Sequence, residues 1–299
     1  MTLKQLEAFY WAASCRNFGL AASRLNISVS SLSKRIAELE TVVGAPLFNR
    51  EGRSATLSVL GEHLLEEAGE ILRRTDDFLA RAVQGRSAVG RCRMGMGELT
   101  SLTWIAPFMA RAHASLHGLH ITPEIGLGDA LQRKLADGEL DCAIVADAST
   151  SGAIASQVIG ETRFAWVAAA VLAQQHSRWT AEAIADCTIV TLPEGAGTTR
   201  MLDVWMNTHE TRGKHILACS NLGAVAAMLK HGLGVGFLST AWAQAMVDRG
   251  DLVYLHAAPP LPALSYAFQW RRDDHRPMLR ALRKLAQEML DFSAPVGLV

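Results

Sequence analysis

The spacing of apolar and polar positions changes three times along this chain. In residues 29–43, Leu32, Ile36, Leu39 and Val43 fall within one narrow arc at about 100° per residue, which predicts a helix with a buried stripe. Ser30, Lys34 and Thr41 point the opposite way, flanked by Ser31, Ser33 and Arg35. A shorter helix at about 19–25 presents Ala21, Ala22 and Leu25, and its alanines let two helices cross closely. From Ser58 to Gln84 the pattern becomes heptad-like: Leu64, Ala68, Ile71, Thr75, Phe78 and Ala82 alternate at four and three, and Leu65, Leu72 and Leu79 repeat at seven. Ser58 caps this helix, no proline interrupts it, and some 26 residues would span about 39 Å. Such a stripe exceeds what a small head can cover, so a second copy is the expected partner; packing inside one large domain is the alternative. Residues 84–90 (QGRSAVG) are small and polar and read as a hinge.

From Val89 onward strand-like and helix-like segments alternate. The strand candidates are 91–96, 120–125, 142–145, 164–169, 189–192, 215–219, 235–238, 252–255 and 266–270, with helices such as 102–115, 131–137 and 222–231 between them. Alternation of this kind predicts an α/β sheet with ligands bound in a crevice beyond the strand ends.

The helix pair is the first place where chemistry enters. Ser28 sits where an N-cap is wanted. Small hydroxyls allow close approach to a duplex, and Lys34 and Arg35 can meet phosphates or guanine edges. Taken alone, the pair is equally an ordinary helical hairpin with a solvated basic face. The next segment shifts the balance. Leu47-Phe48 leads into Asn49, Arg50, Glu51, Gly52 and Arg53, and Glu51-Gly52 is a plausible hairpin turn. Arg50 and Arg53 would then project from a small wing that grips backbone or minor groove. Residues 1–58 carry seven bases (Lys4, Arg16, Arg24, Lys34, Arg35, Arg50, Arg53) against four acids (Glu7, Glu38, Glu40, Glu51), whereas the whole chain balances 29 against 29. Basicity is local, as in a small nucleic-acid footprint on a neutral protein.

The stretch from Leu3 to Gly61 resembles the winged helix-turn-helix of LysR-type transcriptional regulators. Leu6, Phe9, Phe18, Ala21, Ala22, Leu25, Ser28, Leu32, Ser33, Ile36, Leu39, Gly44, Leu47, Phe48, Arg50, Gly52, Arg53, Leu57 and Gly61 carry the resemblance. Departures are Val29 where the family usually has Gln, Ser30-Ser31 where it has Pro or Ser-Ala, Gly19 where a capping Thr or Ser is usual, and Ser58-Val59-Leu60-Gly61 in place of Thr-Glu-Ala-Gly. Losing Gln removes a base-reading amide at the helix start. Two looser motifs, Gly138–Ile144 and Gly232–Leu238, extend the resemblance to the family's effector-binding domain, itself similar to periplasmic solute-binding proteins.

The resemblance implies an α/β protein with a winged helix-turn-helix domain over 1–58, a dimerising linker helix and hinge over 59–88, and a two-subdomain, type 2 periplasmic-binding-protein-like domain over 89–299. Subdomain I is expected at about 89–161 plus 267–299 and subdomain II at about 162–266. It implies double-stranded promoter DNA, a second copy of the chain (dimer, then tetramer) and RNA polymerase as partners. Ser28, Val29, Ser30, Ser31, Ser33, Lys34, Arg35, Arg50 and Arg53 are the expected DNA contacts. Strand ends followed by helix N-termini suit a carboxylate or similar anion. That makes Thr100, Ser101, Gly128, Asp147, Thr198 and Asn221 the expected contacts of a small organic acid or aromatic effector, although each hydroxyl also fits a plain helix cap.

Other chemistries fit less well. Five scattered cysteines without a Cys-x-x-Cys pair argue for a reducing compartment. No signal peptide is visible, and the longest apolar run, 164–173, falls short of the roughly 20 residues a membrane span needs, so a cytoplasmic protein is expected. His113 and His117 are spaced i, i+4 near His120 but lack the His-Glu-x-x-His arrangement, so no metal is expected. The Gly232-x-Gly-x-Gly run lies outside a strand-to-helix turn, no Gly-x-Ser-x-Gly elbow occurs, and no cofactor or catalytic role is expected. Trp205, Trp242 and Trp270 read as core and Cys142 as packing. A solute-binding module or an enzyme on the same kind of fold is the rival reading.

Overall fold

The structure, a computed structural model, describes residues 1–15, 17–49, 56–82, 90–256 and 258–293. The head consists of α1 (Leu3–Cys15), α2 (Phe18–Arg24), α3 (Val29–Val43) and a two-stranded antiparallel wing base, β1 (Phe48–Asn49) with β2 (Thr56–Leu57). Leu6, Phe9, Ala21, Ala22, Leu32, Ile36, Leu39, Leu47 and Phe48 close its core. Val43 is the exception to the predicted stripe: it stands 37% exposed, because α3 stops at the left-handed cap Gly44, one turn beyond the reach of α1. Glu40 ties the wing base to α3, its carboxylate accepting from the backbone N–H groups of Leu47 (2.7 Å) and Phe48 (3.2 Å).

The long helix α4 (Val59–Ala82) follows, with Ser58 accepting from Gly61 N at 3.0 Å. The first half of its apolar stripe is covered by its own head: Ala68 is buried there, and Leu64, Leu65 and Leu72 pack against the same cluster. Ile71 remains 40% exposed. Phe78, Leu79 and the hinge over 84–89, on which the pairing expectation also rests, lie outside the described side chains.

Two five-stranded sheets follow. The chain runs β3 (Gly90–Met96), α5 (Glu98–Leu102), α6 (Ile105–Ser115), β4 (Leu119–Ile125), α7 (Gly128–Ala136), β5 (Cys142–Ala146) and β6 (Ile154–Thr162). It then crosses to β7 (Phe164–Ala168), α8 (Ala170–Ala173), α9 (Ala181–Asp186), β8 (Thr188–Thr191), α10 (Gly197–Thr208), β9 (His215–Ala218), α11 (Leu222–Lys230), β10 (Val235–Ser239), α12 (Thr240–Asp248) and β11 (Val253–Tyr254). It returns through β12 (Leu264–Arg271) and ends in α13 (Pro277–Met289). The strand orders are β4-β3-β5-β12-β6 and β11-β7-β10-β8-β9. Because β12 belongs wholly to the first sheet, the expected subdomain boundary at 266/267 falls inside a strand.

One predicted helix is divided, and one strand was not among the candidates. The single helix expected over 102–115 is broken at Thr103, which leaves helical geometry and donates its hydroxyl to Leu99 O. Strand β6 is the unpredicted one: its apolar residues Ile154, Val158 and Ile159 do not alternate and Val158 is exposed, and it is held by a ladder with β12 that is interrupted by an irregularity at Ile159. The Gly232–Leu238 motif has a packing cause. A Cβ on Gly234 would lie 2.2 Å from Thr188 O, so only glycine lets β10 enter beside β8.

Candidate nucleic-acid interface and effector cleft

The DNA-facing candidates of the described residues gather at the start of α3. Asn17 caps α2, accepting from Gly19 N (2.8 Å) and Leu20 N (3.2 Å), so the cap missing at Gly19 is supplied two residues earlier. Ser28 caps α3 by accepting from Ser31 N at 3.1 Å, and its hydroxyl lies 2.9 Å from those of Ser30 and Ser31. Ser30 and Lys34 are exposed on the face opposite Leu32, Ile36 and Leu39; Ser31 and Ser33 are exposed on its flanks, while Val29 (exposed) and Arg35 (half-buried) lie nearer the buried stripe. The wing arginines Arg50 and Arg53 lie outside the described residues.

A cleft of about 480 Å³ opens between the two sheets, at the crossings from β6 to β7 and from β11 to β12. Of the predicted contacts, Ser101, Gly128, Thr198 and Asn221 line it. The Thr198 hydroxyl is buried without a hydrogen-bond partner. Thr100 is fully buried, also with an unpartnered hydroxyl, and is not on the cavity wall. Asp147 stands beside the cleft in a left-handed backbone conformation (φ 64°), held by Gln269 Nε2 donating to its carbonyl (2.9 Å) and by Arg200 Nη2 at 3.5 Å. Arg200 also pairs with Asp129 across the cleft at 2.8 Å and donates to Ala146 O at 3.2 Å. A Cβ on Gly197 would lie 2.2 Å from that of Ala146, so the two halves are in close contact here.

The start of α11 is partly occupied by the protein's own side chains, where the strand-end argument expects N–H groups open to an anion. Asn221 caps the helix, accepting from Ala224 N at 2.7 Å. The carboxylate of Glu98 takes a second N–H, accepting from Leu222 N, and also accepts from the Asn221 side-chain Nδ2, each at 2.7 Å. Burial pushes the Glu98 carboxyl above its ordinary range, and the bond from Leu222 N–H partly opposes this. Glu98 and the cleft-wall aromatics Tyr266 and Phe164 escaped the sequence argument, which searched helix starts for hydroxyls and glycines. The signal for Glu98 was its place at the first turn after β3.

A third arrangement ties head to effector domain. Arg24, at the end of α2, reaches Asp141 (2.6 Å) and Asp274 (3.3 Å), its side chain only 6% exposed. Arg276 binds both carboxylates at 2.6 Å, and Arg93 N donates to Asp141 at 2.6 Å. The Arg24 guanidinium lies 3.8 Å over the Trp11 ring. Around it Tyr10 donates to Asp273 O, and Arg271 donates to Ser14 O at 2.8 Å. Burial alone would raise the Asp141 carboxyl; Arg24, Arg276 and the Arg93 N–H together hold it below the usual carboxylate range. No sequence pattern pairs residues more than a hundred positions apart, so this contact was not legible beforehand.

Residues 85–291 match the family described as LysR substrate binding domain, and residues 3–62 match the bacterial regulatory helix-turn-helix protein, lysR family. The chain belongs to the LysR family. It is a DNA-binding transcriptional regulator with an effector-binding domain, and its relatives are of the same kind. The transcriptional activator IlvY of Salmonella typhimurium is 27% identical over 242 residues, covering 80% of this chain and 82% of IlvY. Among solved structures, ArgP from Mycobacterium tuberculosis superposes with a TM-score of 0.67 at 21% identity, covering 95% of this chain and 96% of ArgP. A full-length OxyR variant from Pseudomonas aeruginosa gives 0.65 at 22% identity and 97% of both chains. These likenesses establish the two-sheet fold and its winged head. Among the described residues no helix is long and apolar enough to cross a membrane, and no group of three or more His, Cys, Asp or Glu is placed to hold a metal ion.

Proposed function

We propose that this LysR-family regulator reads promoter DNA through Ser28, Val29, Ser30, Ser31, Ser33, Lys34 and Arg35, with Arg50 and Arg53 on flanking phosphates. It responds to a small molecule held between the two sheets. The observation that carries the reading is the exposed hydroxyl-and-base face of α3 backed by a fully closed head core. The helix offers side chains short enough to enter a major groove, and the core fixes their direction.

The organisation that supports this is a DNA-binding domain over 1–58, a linker over 59–88 and an effector domain over 89–299. Subdomain II spans about 162 to the start of β12 and subdomain I takes the remainder. The exposed part of the α4 stripe, at Ile71, supports a second copy of the chain lying along the linker, and two heads per dimer then read half-sites. Effector binding alters how dimers pair, with consequences for access of RNA polymerase in the cytoplasm. Ser101, Gly128, Thr198 and Asn221 contact the effector, while Asp147 acts through Arg200 and Thr100 supports the wall from behind. A ligand biases closure only by its differential affinity for the two states.

Gel shift with the gene's own upstream region tests the DNA face. Lys34→Ala combined with Arg50→Ala and Arg53→Ala is expected to abolish the shift at physiological salt while leaving the melting temperature intact. An unchanged shift refutes the assignment.

A further inference from the structure

We infer that the effector is an amine-type cation on an apolar body and that Glu98 receives its positive end. This deepens, and rests on, the effector-cleft reading above.

The cavity wall is mostly hydrocarbon. Leu99, Leu102, Leu127, Phe164, Leu192 and Tyr266 surround it, and among the described residues Glu98 is the one acidic or basic side chain on the lining. A cavity of this size suits a ligand as large as an amino acid or an arylalkylamine. Glu98 keeps its carboxylate with one hydrogen bond on each oxygen, to Asn221 Nδ2 and Leu222 N. A carboxylate offers about four acceptor sites, so each oxygen retains capacity for a further donor. An ammonium placed against it gains a charge-assisted bond in a partly dehydrated site.

An anionic ligand meets the opposite situation. At α11 the helix start already holds the Glu98 carboxylate, and a second negative charge brought into the same partly dehydrated cavity is repelled by it. The nearest guanidinium offers little relief. Arg200 sits at the cleft margin between two carboxylates, Asp129 and Asp147, so its charge is matched. The second polar anchor is Thr198, whose buried hydroxyl lines the cavity without a partner and is free to bond a polar atom of the ligand.

The test uses the full-length protein and pairs of compounds that share an apolar body: phenethylamine against 3-phenylpropanoate, and pentylamine against hexanoate. Binding is measured by calorimetric titration and by thermal shift. The amines are expected to bind, with the carboxylates weaker by on the order of tenfold or more, about one charge-assisted hydrogen bond. Glu98→Gln is expected to erase that preference, with circular dichroism confirming that the variant is folded; if it does not fold, the wild-type pairs decide alone. Carboxylates that bind the wild-type protein as well as the amines, or a folded Glu98→Gln with undiminished amine affinity, overturn the inference and leave the effector cleft standing. Failure of every amine also overturns it. If no compound of either charge binds and the cleft-filling Thr198→Trp leaves regulation at the protein's own promoter unchanged, the cleft reading itself falls.

Discussion

Replacing Arg24 by methionine isolates the force that holds the head against the effector domain. Methionine keeps apolar bulk over Trp11 but removes the guanidinium bound to Asp141, Asp274 and the Gly138 carbonyl. Both carboxylates are nearly inaccessible, at 4% and 2% exposure, so solvent does not screen what is lost. Two charge-assisted hydrogen bonds contribute about 1.5–3 kcal/mol each. Deleting one partner of a buried ion cluster costs about 3–5 kcal/mol overall. Arg276 and Arg93 stay behind to hold Asp141, which places the expected loss near the lower end, about 3 kcal/mol. At urea slopes of about 1–3 kcal/mol/M the midpoint falls by about 1 M or more. Urea unfolding followed by circular dichroism reads this change. Hydrogen exchange locates it, with faster exchange expected in α1 and around residues 271–276. Lys284→Ala, which loses only an exposed i, i+4 contact to Glu288, is the control with no measurable shift. Equal midpoints and equal α1 exchange in Arg24→Met would show that the ion cluster does not secure the head.

The pH dependence has a definite sign. Asp141 titrates below its ordinary range in the folded protein, so its stabilisation is complete above the unfolded value of about 3.9 and disappears as pH falls through the folded value. Asp141→Asn should lower stability at pH 7 and flatten the acid limb of an unfolding-versus-pH curve; an unchanged limb contradicts the assignment. Gly197→Val places a side chain into Ala146 across the cleft, and is expected to cost about 1–3 kcal/mol by melting and to block effector-induced thermal stabilisation. In the head, Leu32→Ala should abolish the gel shift by unfolding, at about 2–5 kcal/mol. Lys34→Ala should weaken binding with an unchanged melting temperature and reduce the salt slope by about one.

What the sequence disclosed and what it hid divide along physical lines. The stripe Leu32, Ile36 and Leu39 was legible because a helix converts spacing into direction, and the head core follows from it. Val43 failed the same rule because periodicity does not say where the covering element ends. The glycines of 232–238 were visible as a motif, but only the approach of Thr188 O explains Gly234. In the cleft, hydroxyls and glycines at helix starts identified four wall residues. The reasoning assumed that the N–H groups at those starts awaited a ligand, whereas Glu98, over 120 positions away in sequence, had already taken that of Leu222 at α11. The same distance in sequence concealed Arg24 with Asp141. Local pattern reports local geometry; ion pairs closed by tertiary folding leave no spacing to count.

Two of the strands that line the cleft also carry the head contact. Strand β5 begins beside Asp141, which Arg24 grips, and ends at Ala146, against which Gly197 is packed. Strand β12 places Tyr266 on the cavity wall and Arg271 against Ser14 O of the head. At about 3.3 Å per residue, some 17 Å of extended chain separates Asp141 from Ala146. A strand paired on both sides moves as a unit, so closing the cleft and docking the head act on the same rigid element. Linkage then imposes a symmetry: the factor by which an effector changes head docking equals the factor by which docking changes effector affinity. The consequence is measurable without knowing the operator. Arg24→Met, which undocks the head, should bind an amine ligand of the cleft with an affinity different from that of the wild-type protein, and the same ligand should alter hydrogen exchange in α1 of the wild-type protein but not of the variant. Identical affinities in the two proteins would show that head and cleft are energetically independent, however continuous the strands between them.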